Sequence, residues 1–400
     1  MTAEPRAFVF LQGPPGPLFL RLAEAMRAGG VRVERINLSG GDRYDWPEGA
    51  TQFTGRFAEW PAFFDRFVRE HGTTDLLLFG DCRPYHMAAH GIAAARDIRI
   101  HVLEEGYLRP DWMTLERDGV NARSTLSRDK QSFLAEGRIL PPEEELPPVT
   151  ASFKRRARDS YWYYHHVLVG SWRYPHYRSH RTTPILAEGF GWLWRLAGKQ
   201  RREREADRVV APLADKPFFL FPLQLSGDYQ IRMHSCFPDM QSAACFAIES
   251  FAQNAPADTH LLLKVHPLDS SFFNWSGLVK QEARRLGIED RLHYIDGGNL
   301  DELSRSARGV VCVNSTSATV ALAQGTPVRT LGEAIYDLQG LTHQGHLDGF
   351  WAAPEPPEPA VYPAFRNALV NRCLVRGGLA SESAVAVLVG SIIERLGLAS

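Results

Sequence analysis

Four clusters of polar residues in this sequence close short apolar runs, and their types point to chemistry on an anionic ligand. The first, Gly80-Asp81-Cys82-Arg83-Pro84, follows Asp75-Leu76-Leu77-Leu78-Phe79. A Gly-Asp pair there is either a turn with a helix cap or a carboxylate offered to a ligand. The second, Glu104-Glu105-Gly106-Tyr107-Leu108-Arg109-Pro110, runs on to Thr114, Asp118-Gly119 and Asn121. Two adjacent carboxylates at the end of a buried strand are either a solvated loop or, facing a cleft, a general base or nucleophile. Arg109 has the planar fork that suits bidentate binding of a carboxylate on protein or substrate. The third is Lys264-Val265-His266-Pro267. Strand alternation turns Val265 away, so Lys264 and His266 can point toward one anion; the bland alternative is a structural histidine. The fourth, Asn314-Ser315-Thr316-Ser317, stands between an apolar run and a helical pattern. It reads as ordinary N-capping, as a phosphate site of hydroxyls and N–H groups at a helix N-terminus, or as both.

The elements that must position these clusters alternate between strand and helix. Strands are expected over Ala7–Leu11, Val31–Leu38, Asp75–Phe79 and Ile98–Leu103, with helices over Leu18–Ala28, Trp60–His71 and Tyr85–Arg96. The pattern resumes with strands Phe218–Leu223, His260–Val265, Leu292–Ile295, Gly309–Val313 and Pro327–Leu331. The helices between them are Met240–Ala252, Trp275–Leu286, Leu300–Ala307 and Ser315–Ala323, and Ser383–Leu396 closes the chain. Continuous apolar strands between helices imply parallel sheets covered on both faces. The expected fold class is therefore α/β and GT-B-like: two Rossmann-like parallel-sheet domains facing a cleft, with a helical basic-aromatic insert. The expected boundaries are 1–140 for the first domain (acceptor side, carboxylate loop) and 141–210 for the linker and insert. The second domain takes 211–372, and the closing helix 373–400.

Composition narrows the function. A chain of 400 residues fits two domains, and a net charge of -1 argues against a dedicated nucleic-acid binder. The five cysteines show no CxxC pair or metal-ligand spacing, which fits a reducing compartment. The N-terminus lacks a signal-peptide layout, and no apolar run approaches the ~20 residues that span a bilayer. A cytoplasmic protein with peripheral membrane contact is expected.

The insert carries that contact. Lys154, Arg155, Arg156 and Arg158 precede Tyr161-Trp162-Tyr163-Tyr164-His165-His166, and more arginines and tryptophans follow to Arg208. Aromatic rings with cations suit an anionic headgroup surface. The plain alternative is core aromatics beside a solvated charged face.

Taken in order, several motifs resemble one family. They are Leu11-Gln12-Gly13-Pro14-x-Gly16-Pro17, Asn37-Leu38-x-Gly40-Gly41-Asp42-Arg43, the Gly80 and Glu104 clusters, Leu223-Gln224, Gln230-Ile231-Arg232, His266-Pro267 and Asn314-Ser315-Thr316. Tyr336-Asp337 and Gly340-Leu341-Thr342-x-Gln344-Gly345-His346 complete the series. The sequence resembles the KpsS/LipB-type capsule polysaccharide β-Kdo transferases over most of its length. The resemblance implies retaining transfer of Kdo from CMP-Kdo to a (lyso)phosphatidylglycerol-type lipid at the inner face of the cytoplasmic membrane, starting a poly-Kdo linker. It implies Glu105 as nucleophile, with Glu104 next, and leaves the base open between Asp81 and the second carboxylate. Lys264, His266, Pro267, Asn314, Ser315, Thr316, Arg109 and Gln224 would hold the donor. No cofactor, metal or nucleic acid is expected; other capsule-assembly proteins are possible partners. The alternatives are an inverting sialyltransferase-like enzyme using Glu105 as base, a UDP-sugar epimerase or other GT-B enzyme, and a non-enzymatic export accessory protein.

Overall fold

The structure, a computed structural model, describes residues 5–179, 181, 184–225, 229–269 and 273–398, with positions 229 and 230 as backbone only. Gln230 of the motif series thus lies outside the described side chains. The strands of the first half are β1 (Ala7–Phe10), β2 (Arg32–Asn37), β3 (Thr51–Gln52), β4 (Asp75–Phe79), β5 (Arg99–Glu105) and β6 (Trp112–Arg117). Then come β7 (Phe218–Pro222), β8 (His260–Lys264), β9 (Leu292–Ile295), β10 (Gly309–Cys312), β11 (Val328–Thr330) and, near the end, β12 (Leu374–Arg376). Two sheets result, ordered β12-β6-β5-β4-β1-β2-β3 and β11-β10-β7-β8-β9. Each is covered by helices, so the chain forms two Rossmann-like α/β units of the GT-B-like class.

The second sheet is parallel throughout its described strands. The first is not. β6 runs antiparallel to β5, and β12 antiparallel to β6. The region expected as a loop running on to Thr114 is in fact a strand, and Glu104 and Glu105 belong to β5 itself. β6 alternates along its length: Met113 and Leu115 enter one core, while Thr114 and Glu116 face the other way.

The units also divide the chain differently from the expected boundaries. One holds Met1–Leu126, Pro141–His180 and Leu369–Ser400; the other holds Ser127–Leu140 and Arg181–Ala368. The insert is therefore shared out. Its first helix, Phe153–Val169, packs on the short helix Gly40–Asp45 of the first unit. Its later helices, Ile185–Ala197 and Lys199–Val210, belong to the second unit, where Lys199–Val210 lies along β9. The closing helix Glu382–Arg395 buries Val385, Leu388 and Ile392 with Leu22 and Met26 of the helix Leu18–Ala28. An amphipathic pattern shows that such a helix has a core face; it does not say which sheet receives it.

Candidate functional site

In each unit the chain leaves one side of the sheet and returns on the other. In the first this switch lies between β1 and β4, in the second between β7 and β10. Open α/β sheets bind ligands at the carboxyl ends of such strand pairs.

At the first switch, Arg83 Nη1 donates to Gln12 Oε1 at 3.0 Å and to the Gly13 carbonyl at 3.4 Å, tying the β4 loop to the β1 loop. Gln12 is buried and continues inward, donating to Tyr163 Oη at 2.7 Å and Tyr177 Oη at 3.0 Å. Tyr163 donates to Asp42 Oδ1 at 3.0 Å, and the Leu38 N–H binds Asp42 Oδ2 at 3.0 Å. Gly40 and Gly41 permit this approach: a Cβ on Gly40 would stand 2.1 Å from the His166 carbonyl oxygen. Several early motif residues thus dock the helix Phe153–Val169. Beside them Asp45 accepts from the Gly16 N–H at 2.9 Å, and burial raises its carboxyl to about 8 against that bond.

The three candidate carboxylates do not converge. Glu104 pairs across the ladder with Thr114 and Glu105 with Met113, so their side chains leave β5 on opposite faces. Glu104 accepts from Asn121 Nδ2 at 3.3 Å and lies near Cys82, whose thiol is pushed up by burial and then by Asp81 and Glu104. Asp81 is only 1% exposed. It receives the Cys82 thiol at 3.3 Å and the Val120 N–H at 3.5 Å, with Arg123 at 3.8 Å. Its carboxylate fastens the turn after β6. Glu105 is different: it remains 40% exposed and is met by Arg156 Nη2 at 3.3 Å. Arg156 also reaches the Pro15 carbonyl at 3.5 Å, in the β1 loop. Arg109, expected to grip a carboxylate, instead turns back to donate to the Gly106 carbonyl at 3.3 Å.

At the second switch, Gln224 Nε2 donates to Asn314 Oδ1 at 2.9 Å, and the Asn314 N–H donates to Gln224 Oε1 at 3.0 Å. This reciprocal pair spans the ends of β7 and β10. His266 accepts the Leu268 N–H on Nδ1 at 3.1 Å, which places the proton of a neutral ring on Nε2. Pro267 beside it is exposed. Lys264 ends β8 with only 6% exposure. Among the described residues its ammonium makes no hydrogen bond or ion pair. Burial lowers its pKa, while Glu203 and Asp296 act in the opposite sense. Asp296, just past β9, is held by Arg195 at 2.7 Å and Arg202 at 3.4 Å.

The fourth cluster departs from expectation. The helix begins only at Ala318 and has six residues, with Ser315–Ser317 forming a turn before it. Ser315 Oγ accepts the Ser317 N–H at 3.2 Å, and Thr319 donates to the Thr316 carbonyl at 2.8 Å. The cluster makes its own turn immediately before that helix.

The basic run divides too. Arg155 binds Asp159 at 2.6 Å and also Glu382, so Arg155 and Arg156 both serve the fold of the first unit. Lys154, Arg158 and Trp162 face outward. Sequence reasoning did not assign roles to Arg83 or Asp296, or connect Arg156 with Glu105. Asp296-Gly297-Gly298 closes an apolar strand just as the four flagged clusters do, and that signal was available.

The chain matches the capsule polysaccharide biosynthesis protein family over residues 74–379. It is 34% identical over 386 residues to the capsule polysaccharide modification protein LipB of Neisseria meningitidis serogroup B, covering 94% of this chain and 91% of that one. It is 33% identical over 382 residues to the capsule polysaccharide export protein KpsS of Escherichia coli, covering 92% and 96%. It belongs to the capsule polysaccharide biosynthesis protein family. Among solved structures, the Thermosulfurimonas dismutans KpsC β-Kdo 2,7 transferase aligns with a TM-score of 0.48 at 12% identity, covering 98% of this chain and 100% of that one. Among the described residues, no helix is long and apolar enough to cross a membrane.

Proposed function

We propose that this protein is a retaining β-Kdo transferase that moves Kdo from CMP-Kdo to a (lyso)phosphatidylglycerol-type lipid at the inner face of the cytoplasmic membrane. The observation that carries the reading is Lys264: a nearly buried cation at a strand end, unpaired among the described residues. Burial disfavours its charged form, Glu203 and Asp296 offset part of that cost, and an anionic ligand adds to the offset. A CMP-activated ulosonic acid brings a phosphate and a carboxylate. His266 and Lys264 then face the phosphate as its negative charge grows.

Glu105 is the nucleophile of the proposed reaction. Its oxygen attacks the anomeric carbon, and the bond to the phosphate oxygen breaks with its electron pair leaving on CMP. The acceptor hydroxyl oxygen then attacks the same carbon, gives its proton to a base and releases the Glu105 carboxylate. The base is left open between Glu104, which leaves β5 on the face opposite Glu105, and Asp81, which is held by its own contacts. No metal is required in this scheme, because Lys264 supplies the positive charge at the phosphate.

Purified protein with CMP-Kdo and a fluorescent lysophosphatidylglycerol analogue should release CMP and yield a β-linked Kdo product, in EDTA as in buffer. No CMP release and no product would sink the transferase. An inverted linkage would make Glu105 a base instead, and activity lost in EDTA and restored by magnesium would refute the metal-free scheme.

A further inference from the structure

The helix Phe153–Val169 and the turns after it present two very different faces. The inner face holds Tyr163, Tyr174 and Tyr177 in or beside the network around Gln12 and Asp42, and carries Arg156 to Glu105. The outer face exposes Phe153, Tyr161, Trp162, Leu168, Val169 and Trp172, the last 76% accessible. Its charge is one-sided. From Thr150 to Ser179 the sequence has six lysines and arginines but a single acid, Asp159, whose side chain is only 10% exposed. Lys154, Arg158, Arg173 and Arg178 all lie outward, and the exposed Glu382 of the closing helix, which binds Arg155, lies within electrostatic reach of Arg158.

Helix stability does not explain this layout. Cations in a first turn oppose the helix dipole, where acids would be favourable. Arg155 and Arg156 have partners within the unit that account for their presence. Lys154 has no such partner among the described residues, and Arg158 has a surface contact with Asp159 at 3.5 Å and the longer-range field of Glu382.

We propose that this outer face is a docking surface for an anionic phospholipid bilayer. Rings and aliphatic side chains enter the headgroup boundary while Lys154, Arg158, Arg173 and Arg178 meet the lipid phosphates. A soluble polyanion would use the cations and the stacking rings, but it gives no role to Leu168 and Val169. The inference deepens the lipid-acceptor reading and rests on it for its purpose. The helix that lies on the membrane is also the one whose inner face touches Glu105.

The test is co-sedimentation of the full chain with vesicles of phosphatidylcholine alone or mixed with phosphatidylglycerol. One variant carries Lys154→Gln, Arg158→Gln, Arg173→Gln and Arg178→Gln; a second carries Tyr161→Ser, Trp162→Ser and Trp172→Ser. Thermal unfolding checks both, with Trp172→Ser alone as the substitute should the triple variant lose its fold. Wild type should prefer the anionic vesicles, and each multiple variant should bind them at least ~10-fold more weakly. Activity on vesicle-borne acceptor, relative to a soluble analogue, should fall in parallel. Wild-type binding by either folded variant overturns the proposal. So does aromatic-independent binding that inorganic polyphosphate competes away, which marks a site for a soluble polyanion. Vesicle binding without any Kdo transfer leaves the docking surface standing and refutes the transferase; transfer to the soluble analogue without vesicle binding does the reverse.

Discussion

The carboxyl ends of the two sheets solve opposite problems. In the first unit, buried acids are satisfied from within: Asp42 by Tyr163 and Leu38, Asp81 by Cys82 and Val120. Glu105 keeps substantial exposure, with Arg156 against it. In the second unit, Gln224 and Asn314 satisfy each other while Lys264 is left without a partner among the described residues. A finished network specifies and rigidifies an edge, whereas a buried cation balanced only through the longer-range fields of Glu203 and Asp296 leaves donor capacity at the other. In the proposed reaction the first edge supplies the nucleophile and the second receives the anion.

The largest expected effect tests the first half of that contrast. Glu105→Gln should lower Kdo transfer by roughly 10³-fold or more with little change in thermal midpoint, because a partly exposed nucleophile contributes to the barrier more than to the fold. Glu104→Gln, on the opposite face of β5, should cost less. Equal losses, measured in single-turnover assays, would erase the distinction between the two carboxylates.

Lys264→Met comes next and separates function from stability. The KM for CMP-Kdo should rise on the order of 100-fold as a charge-assisted contact to the anion disappears, while the thermal midpoint holds or rises. A clearly lowered midpoint would mean that the ammonium already has a stabilising role. The pH dependence has a defined sign. Burial depresses this lysine's pKa, so between its folded and ordinary values the unfolded chain binds more protons. Stability should therefore increase with pH through that window, while donor affinity falls, and the Met variant should show neither trend.

A smaller effect belongs to the reciprocal amide pair. Gln224→Ala and Asn314→Ala should show a coupling of ~1 kcal/mol in a double-mutant cycle followed by denaturant unfolding. Additive losses would show that the pair is incidental to the switch between β7 and β10.

The smallest concerns Asp45. Its carboxyl, raised to about 8, contributes stability at low pH that is lost as the pH rises through that value. Asp45→Asn should raise the thermal midpoint more at pH 9 than at pH 5. An equal shift at both would place the cost elsewhere.

Strand ends were legible because apolar runs are local. β4 and β9 were read with their observed limits, and the other parallel strands, the two-residue β3 apart, were located to within two residues or so. The antiparallel β6 was missed because Glu116 and Arg117 interrupt a short alternating run. The two-residue β3 carries too little pattern for any period to show. The start of the helix at Ala318 was misplaced because the serines before it make a turn with the same residues that cap helices.

What the sequence by itself determined is therefore which side chains stand at the ends of the strands: Asp81, Glu104 and Glu105 in one unit, Lys264, His266 and Asn314 in the other. Period and strand length are properties of consecutive residues. Only the tertiary structure decided which of those groups are used up by the fold and which remain. Arg156 reaches Glu105 across 51 positions of chain, and Gln224 reaches Asn314 across 90. Arg155 and Arg156 look the same in sequence as Lys154 and Arg158. They differ because helix geometry turns the first two toward Asp159, Glu382 and Glu105 and the other two toward solvent, and that assignment depends on which surface the helix packs against.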